Sequence, residues 1–134
     1  VKLDFESVAL AGSMLGSGGV TVMEEGTDMV WAALRLMEFF YHESCGKCSP
    51  CREGSSWLVQ IMRRIVNKRG QMADLETLTD LCKNIAGRTV CAFGDAEVSP
   101  ILSTLKHWRH EYVAMIHAAE AANLIRPEPA GAKH

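Results

Sequence analysis

Glu43-Ser44-Cys45-Gly46-Lys47-Cys48-Ser49-Pro50-Cys51-Arg52-Glu53-Gly54 is the stretch from which the rest of this chain is read. Three of the five cysteines fall here, spaced Cys-x-x-Cys-x-x-Cys. A disulfide framework would use an even number of cysteines spread along a small secreted chain. A clustered, odd set suits a metal or a reducing compartment. The spacing places three sulfurs on one tight loop, close enough to bind three corners of a compact cluster. Iron–sulfur motifs contain this run and take their fourth ligand from elsewhere. Gly46 frees the backbone between the first two sulfurs, and Pro50 fixes it before the third. Three exposed cysteines without a metal would be an oxidation hazard.

Two cysteines compete for the fourth position. Cys82 sits in an apolar helical stripe after Leu81, where a free cysteine behaves as a small hydrophobe. Cys91 lies in Thr89-Val90-Cys91-Ala92-Phe93-Gly94-Asp95, a loop between helical patterns that can deliver a thiolate to a partner loop. This context favours Cys91 over Cys82. Zinc is the rival metal, but four cysteines around zinc normally come as two paired knuckles, not as a triple and a single. Lys47 and Arg52 flank the sulfurs. Cations there stabilise a reduced, more negative cluster, although solvated loop charge is the plainer reading.

Outward from this loop the chain reads as helices. After a cap at Thr27 or Asp28, Val30, Ala33, Leu34, Met37, Phe40 and Tyr41 recur at helical spacing. Trp31, Leu36 and Phe39 make the other faces apolar too, as expected of a buried or subunit-packed helix. A second helix is expected from Pro50, with Trp57, Leu58, Ile61, Met62 and Ile65 inward, Arg63, Arg64, Lys68 and Arg69 at its basic end, and Gly70 as its stop. A third runs from an Asp74 cap through Leu75, Leu78, Leu81, Cys82 and Ile85 to Gly87. A fourth starts near Ala96 or at Ser99-Pro100, with Ile101, Leu105, Trp108, Tyr112 and Met115 along one buried side. Four such helices with short connections predict a small antiparallel bundle, a mainly α fold, over residues 27–122. Residues 123–134 turn polar and proline-bearing and read as a mobile tail. Residues 1–26 hold five of the eleven glycines around one β-like run, Val20-Thr21-Val22-Met23. A single strand cannot pair with itself, and a start at Val1 suggests a cleaved product or a piece of a longer polypeptide.

Composition narrows the classes. The 134 residues are 48 % hydrophobic and 22 % charged, with a formal net charge of -2. No basic field exists to hold nucleic acid. No apolar run approaches the roughly 18 residues needed to cross a bilayer, and the first residues make no secretory signal.

The stretch Glu43–Gly54 resembles the four-iron signature of the NADH-binding flavoprotein subunit of respiratory complex I and its relatives in NAD-reducing hydrogenase and NAD-dependent formate dehydrogenase. Thr89-Val90-Cys91-Ala92-Phe93-Gly94-Asp95-Ala96 resembles that family's fourth-ligand segment. Ala11-Gly12-Ser13-Met14-Leu15-Gly16-Ser17-Gly18-Gly19 resembles the glycine-rich lead into its helical domain. The resemblance implies a [4Fe-4S] cluster on Cys45, Cys48, Cys51 and Cys91. It implies electrons accepted one at a time from FMN after NADH oxidation and passed to clusters in neighbouring subunits, as part of an NADH:quinone oxidoreductase. The implied partners are an upstream FMN and NAD(H) domain, a [2Fe-2S] thioredoxin-like subunit and a multi-cluster subunit. The implied place is the peripheral arm of a membrane complex, on the cytoplasmic side of a bacterial inner membrane or the matrix side of a mitochondrial one, without direct membrane insertion. Residues 1–26 become the end of a β-containing, ubiquitin-like domain and its linker. Gly16-Ser17-Gly18-Gly19 is no phosphate loop, because it leads into a β-like run instead of a helix N-terminus. Val90, Ala92 and Phe93 would keep water from the cluster.

Other readings stay beside this one. A zinc- or cluster-stabilised docking module of another NAD-linked oxidoreductase, such as hydrogenase or formate dehydrogenase, would share the cysteines. So would a stand-alone ferredoxin-like carrier. His107, His110 and His117 share a helix but read as solvated, since metal sites need three or four convergent ligands. His42 is a candidate neighbour of the cluster, with helix termination as the plainer alternative.

Overall fold

The computed structural model describes residues 1–121. These fold into six helices: α1 (Phe5–Leu10), α2 (Met29–Glu43), α3 (Ser49–Val66), α4 (Met72–Ile85), α5 (Phe93–His107) and α6 (Arg109–Ala121). Helices α2 to α5 pack in a closed ring, each against its chain neighbours and α5 back onto α2, while α6 lies over α2, α3 and α5. Short connections between neighbours favour the antiparallel bundle expected from the pattern. Val30, Met37, Leu58, Met62, Ile65, Leu75, Leu78, Ile85, Ile101, Tyr112 and Ile116 fill its centre. Fully burying each such side chain contributes roughly 1.5–3 kcal/mol.

Local chemistry sets the ends. The Asp28 carboxylate accepts the Trp31 N–H at 2.8 Å and caps α2. The Met29 N–H donates to Glu111 Oε2 at 2.9 Å, which ties α6 to the start of α2. Asp74 is not the cap of α4, as the pattern suggested. Gln71 is the cap, and Asp74 reaches back to accept its N–H at 2.8 Å. The nearly buried Asp74 also pairs with Arg64 of α3, and Arg63 pairs with Glu38 of α2 at 2.8 Å. Two of the four cations at the basic end of α3, Arg63 and Arg64, therefore bind its neighbouring helices.

Gly70 does not stop α3. The helix ends at Val66, with Asn67 as its cap. Lys68 turns left-handed (φ 56°), and its N–H and that of Arg69 bond back to the carbonyls of Ile65 and Arg64 at 3.0 and 2.8 Å. That is a Schellman closure with lysine in the position glycine usually takes. Gly70 instead lets the chain pass against Ile65, where an added Cβ would lie 2.9 Å from the Ile65 Cα.

Four other expectations change. The fourth helix begins at Phe93, earlier than expected, and Pro100 lies inside it. The single long stripe through Met115 is two helices, broken at Trp108. The break turns Tyr112, Ile116 and Ala119 into the core, and the buried Tyr112 Oη meets Thr104 Oγ1 at 2.7 Å across the corner. Trp57 is about half exposed and lies outside the core. At the start of the chain, Val20–Met23 carries no strand, and no strand occurs among the described residues. A strand needs a ladder partner, and none is within these residues. A short helix, α1, forms instead; Asp4 caps it, and none of its residues is buried. The stretch 123–134, expected to be a tail, lies outside the described residues.

Two substitutions test these ends in chemical denaturation. Gly70→Ala is expected to cost about 1–3 kcal/mol, because the methyl group meets backbone. Lys68→Gly is expected to add about 0.5–1 kcal/mol by relieving a left-handed residue.

Candidate metal centre

The loop between α2 and α3 is shaped by its own residues. Gly46 sits at φ 73°, a turn that side chains resist. Arg52 reaches back across the loop, and its Nη1 donates to the Gly46 carbonyl at 2.7 Å. Its Nε donates to Glu53 Oε1 at 2.8 Å. Arg52 is thus a clasp on the first cysteine loop and is charge-paired as well. Ser44 Oγ accepts the Gly46 N–H at 3.3 Å. Cys48 is the N-cap of α3, and Pro50 sits in the first turn, where its missing N–H costs nothing.

The second loop, between α4 and α5, brings Cys91 to the same place. Gly87 N–H donates to Asp95 Oδ1 at 2.8 Å, and Thr89 Oγ1 donates to the Cys91 carbonyl at 2.8 Å. Gly94, in the first turn of α5, is pressed against Thr89: a Cβ there would lie 2.4 Å from Thr89 Oγ1. The Val90 N–H donates to Cys48 Sγ at 3.4 Å, a direct link between the two loops.

Cys45, Cys48, Cys51 and Cys91 line one cavity of about 180 Å³, together with Glu43, Lys47, Thr89, Phe93 and Gly94. Cys82 is fully buried in the core stripe of α4 and does not line it. Among the described residues, no three His, Cys, Asp or Glu side chains are grouped as a single ion would require. Four soft sulfur donors, three from the two loops and Cys51 from the first turn of α3, with a backbone N–H already on one sulfur, suit a thiolate-held iron–sulfur cluster. The cavity also lies where α3 and α5 begin, so the positive ends of two helix dipoles point toward it.

Its walls differ from expectation on one side. Phe93 lines the cavity and packs edge-to-face on Phe40, centroids 5.4 Å apart. Val90 is 87 % exposed and Ala92 is exposed, so neither shields the site within this chain. His42 is exposed beside Glu43, their atoms 3.0 Å apart, and is not among the lining residues. His107, His110 and His117 are exposed on α5 and α6.

The sequence pattern did not single out Glu97. It is fully buried on α5, and Cys51 Sγ donates to its Oε2 at 3.2 Å. Its Oε1 is buried with no partner. Burial pushes the Glu97 carboxyl up to about 7. Burial likewise pushes the Cys51 thiol up to about 11; Glu97 adds to the rise, while the Ser44 hydroxyl, 3.3 Å from the sulfur, opposes it. Cys82 is raised to about 12, first by burial and then by Glu97. A carboxylate within the stripe Gly94, Val98, Ile101, Leu105 was the available signal.

Residues 31–115 match the family described as the NADH-ubiquinone oxidoreductase-F iron-sulfur binding region. The chain is 53 % identical over 116 residues to the F 2 subunit of NADH-quinone oxidoreductase from Rhizobium meliloti (strain 1021), covering 87 % of this chain and 28 % of that protein. It is 53 % identical over 112 residues to the corresponding F subunit of Streptomyces coelicolor (strain ATCC BAA-471 / A3(2) / M145), covering 84 % of this chain and 25 % of that protein. It therefore spans about a quarter of the length of these curated relatives. Among solved structures, NAD+-reducing [NiFe]-hydrogenase in the air-oxidized state is similar with a TM-score of 0.68 and 26 % identity, over 80 % of this chain and 22 % of that one. The H2-reduced state gives 0.64 and 26 %, over 76 % and 20 %. With its helical bundle, its two converging cysteine loops and a match over most of its length, this chain belongs to the NADH-ubiquinone oxidoreductase-F iron-sulfur binding family.

Proposed function

We propose that this chain is the electron-relay portion of the F subunit of an NADH-quinone oxidoreductase, with one [4Fe-4S] cluster held by Cys45, Cys48, Cys51 and Cys91. The observation that carries the reading is the shared cavity those four sulfurs line. Bound there, a four-thiolate cluster supplies one-electron carriage without an open coordination position.

The chain's own residues make the place suitable. Gly46 and the Arg52 clasp hold Cys45 and Cys48 in a tight loop. Asp95 and Thr89 hold the loop that presents Cys91. Two helix starts and the Val90 N–H put positive partial charge beside anionic sulfur, which favours added negative charge. Phe93 and Phe40 wall one side against water. Lys47 adds a cation at the rim.

The wider assignment follows from the family. Electrons arrive from FMN, after NADH oxidation, on an upstream domain, and leave to clusters in a [2Fe-2S] thioredoxin-like subunit and a multi-cluster subunit. Trp31, Phe39 and Tyr41 stand about half exposed on the outer face of α2 and supply apolar surface for such a neighbour. Residues 1–26 are the end of a ubiquitin-like domain and its linker; the exposed Val20 and Val22 support pairing with strands outside these residues. The chain sits in the peripheral arm, on the cytoplasmic or matrix face. No described helix is long and apolar enough to cross a membrane. The likeness to NAD+-reducing hydrogenase favours one second reading, in which the same relay serves a hydrogenase.

Iron content and visible absorbance after anaerobic reconstitution test the ligands. Cys91→Ala is expected to abolish the cluster, whereas Cys82→Ala keeps it and costs roughly 1 kcal/mol of core stability. A full cluster in the Cys91 variant overturns the assignment. Reversible reduction by dithionite separates the cluster from zinc, which has no redox chemistry. Gly94→Ala is expected to push Thr89 and its loop outward and lower iron loading several-fold, with the helical circular dichroism unchanged.

A further inference from the structure

Glu97 is a costly residue for a bundle of this size. Its carboxyl replaces apolar packing at a fully buried position, and one of its oxygens has no partner among the described residues. Among the described residues no lysine, arginine or histidine pairs with it. Its one polar contact is Cys51 Sγ, at 3.2 Å. A well-packed leucine would serve the core better, so the contact itself calls for an explanation.

The direction of that contact depends on what Cys51 carries. As a thiol, Cys51 donates its proton to Glu97 Oε2. With iron on the sulfur, that proton is gone and the sulfur can only accept. A carboxylate held there would place two acceptors, both negative, in contact without a counter-cation. A carboxylic acid in the same rotamer places an O–H donor on the sulfur.

We propose that Glu97 is a positioning residue for the cluster: its neutral carboxyl donates a hydrogen bond to Cys51 Sγ and raises the reduction potential. This rests on Cys51 being a ligand. The donor draws charge from the sulfur, and the reduced cluster, being more negative, gains more from it than the oxidised one. Nothing in this role requires the carboxyl to lose its proton. Ser44 Oγ, 3.3 Å from the same sulfur, is a second donor that stays in place when Glu97 is changed. Cys51 would then be the most heavily hydrogen-bonded of the four sulfurs, held from α2's end by Ser44 and from α5 by Glu97.

The test is a redox titration followed by electron paramagnetic resonance, on the intact protein reconstituted under anaerobic conditions, with iron content and thermal stability measured alongside. Glu97→Leu is expected to load iron fully, to melt no lower than the parent, and to titrate at a lower midpoint potential. Glu97→Gln keeps an N–H donor of the same reach and is expected to load fully and titrate between the two. One exchangeable proton coupled to the cluster is expected in the parent and the Gln protein and lost from the Leu protein, while those of Ser44 and Val90 remain in all three. A fully loaded Leu protein with the parent's midpoint overturns the role of Glu97 and leaves the ligand assignment standing. If the Leu protein does not load, Glu97→Ala is judged on the same midpoint criterion. Loss of iron from the Gln protein as well overturns the proposal, since a retained donor is all the contact requires. A parent protein that takes up no iron overturns the ligand assignment instead.

Discussion

Sulfurs from two loops that are distant in sequence have to face one small space, and the bundle is arranged so that they do. Residues 44–48 and 86–92 meet because α3 and α5 both begin at that end and pack around α4 between them. Helix starts carry free N–H groups and the positive ends of their dipoles. The same arrangement that brings the thiolates together therefore also supplies partial charge suited to an anionic group. The Val90 N–H on Cys48 Sγ joins the two loops directly.

Rigidity around this space comes from small contacts that leave no slack. Arg52 closes the first loop on the Gly46 carbonyl. Gly94 admits Thr89 so closely that even a methyl group would collide. Farther away, Arg63 and Arg64 fasten α3 to α2 and α4, and Glu111 fastens α6 to the start of α2. The Arg63–Glu38 pair is partly exposed and contributes little alone, whereas the Asp74 carboxylate that Arg64 meets is buried. Together they set the angles at which the helices deliver the cysteines. The core beneath supplies most of the stability through burial.

The cysteine end of the bundle is unevenly dressed. Phe93 and Phe40 close one side, Lys47 stands at the rim, and Val90 projects outward. Against Cys51 lies Glu97, a fully buried polar inclusion. An exposed rim is suited to electron exchange with a neighbour, and a buried inclusion is suited to adjusting the group that exchanges them.

The cysteine spacing, the helical stripes, the Asp28 cap and the Gly87 stop were legible in the residues, because each depends on neighbours a few positions apart. The placement of Cys91 between helical patterns and of Cys82 within a stripe was legible for a similar reason. Where tertiary contacts outweigh local preference, the reading of the residues diverged. The corner at Trp108 has no glycine or proline to announce it; it exists because Tyr112 and Ile116 reach the core only if the chain turns there. Val20–Met23 has strand-like composition but no ladder partner among these residues, so composition alone does not make it a strand. Gly70 has the local character of a helix stop, yet it is an approach point for Ile65, a contact that depends on the path of the turn. The contact of Glu97 leaves no trace in the local pattern because its only polar partner among the described residues lies forty-six positions away. The sequence by itself determined which groups could bind iron and on which elements they sit. Only the folded bundle decided that four of the five sulfurs share one space, with a buried acid against one of them, because that depends on how whole helices pack and not on the order of residues within any one of them.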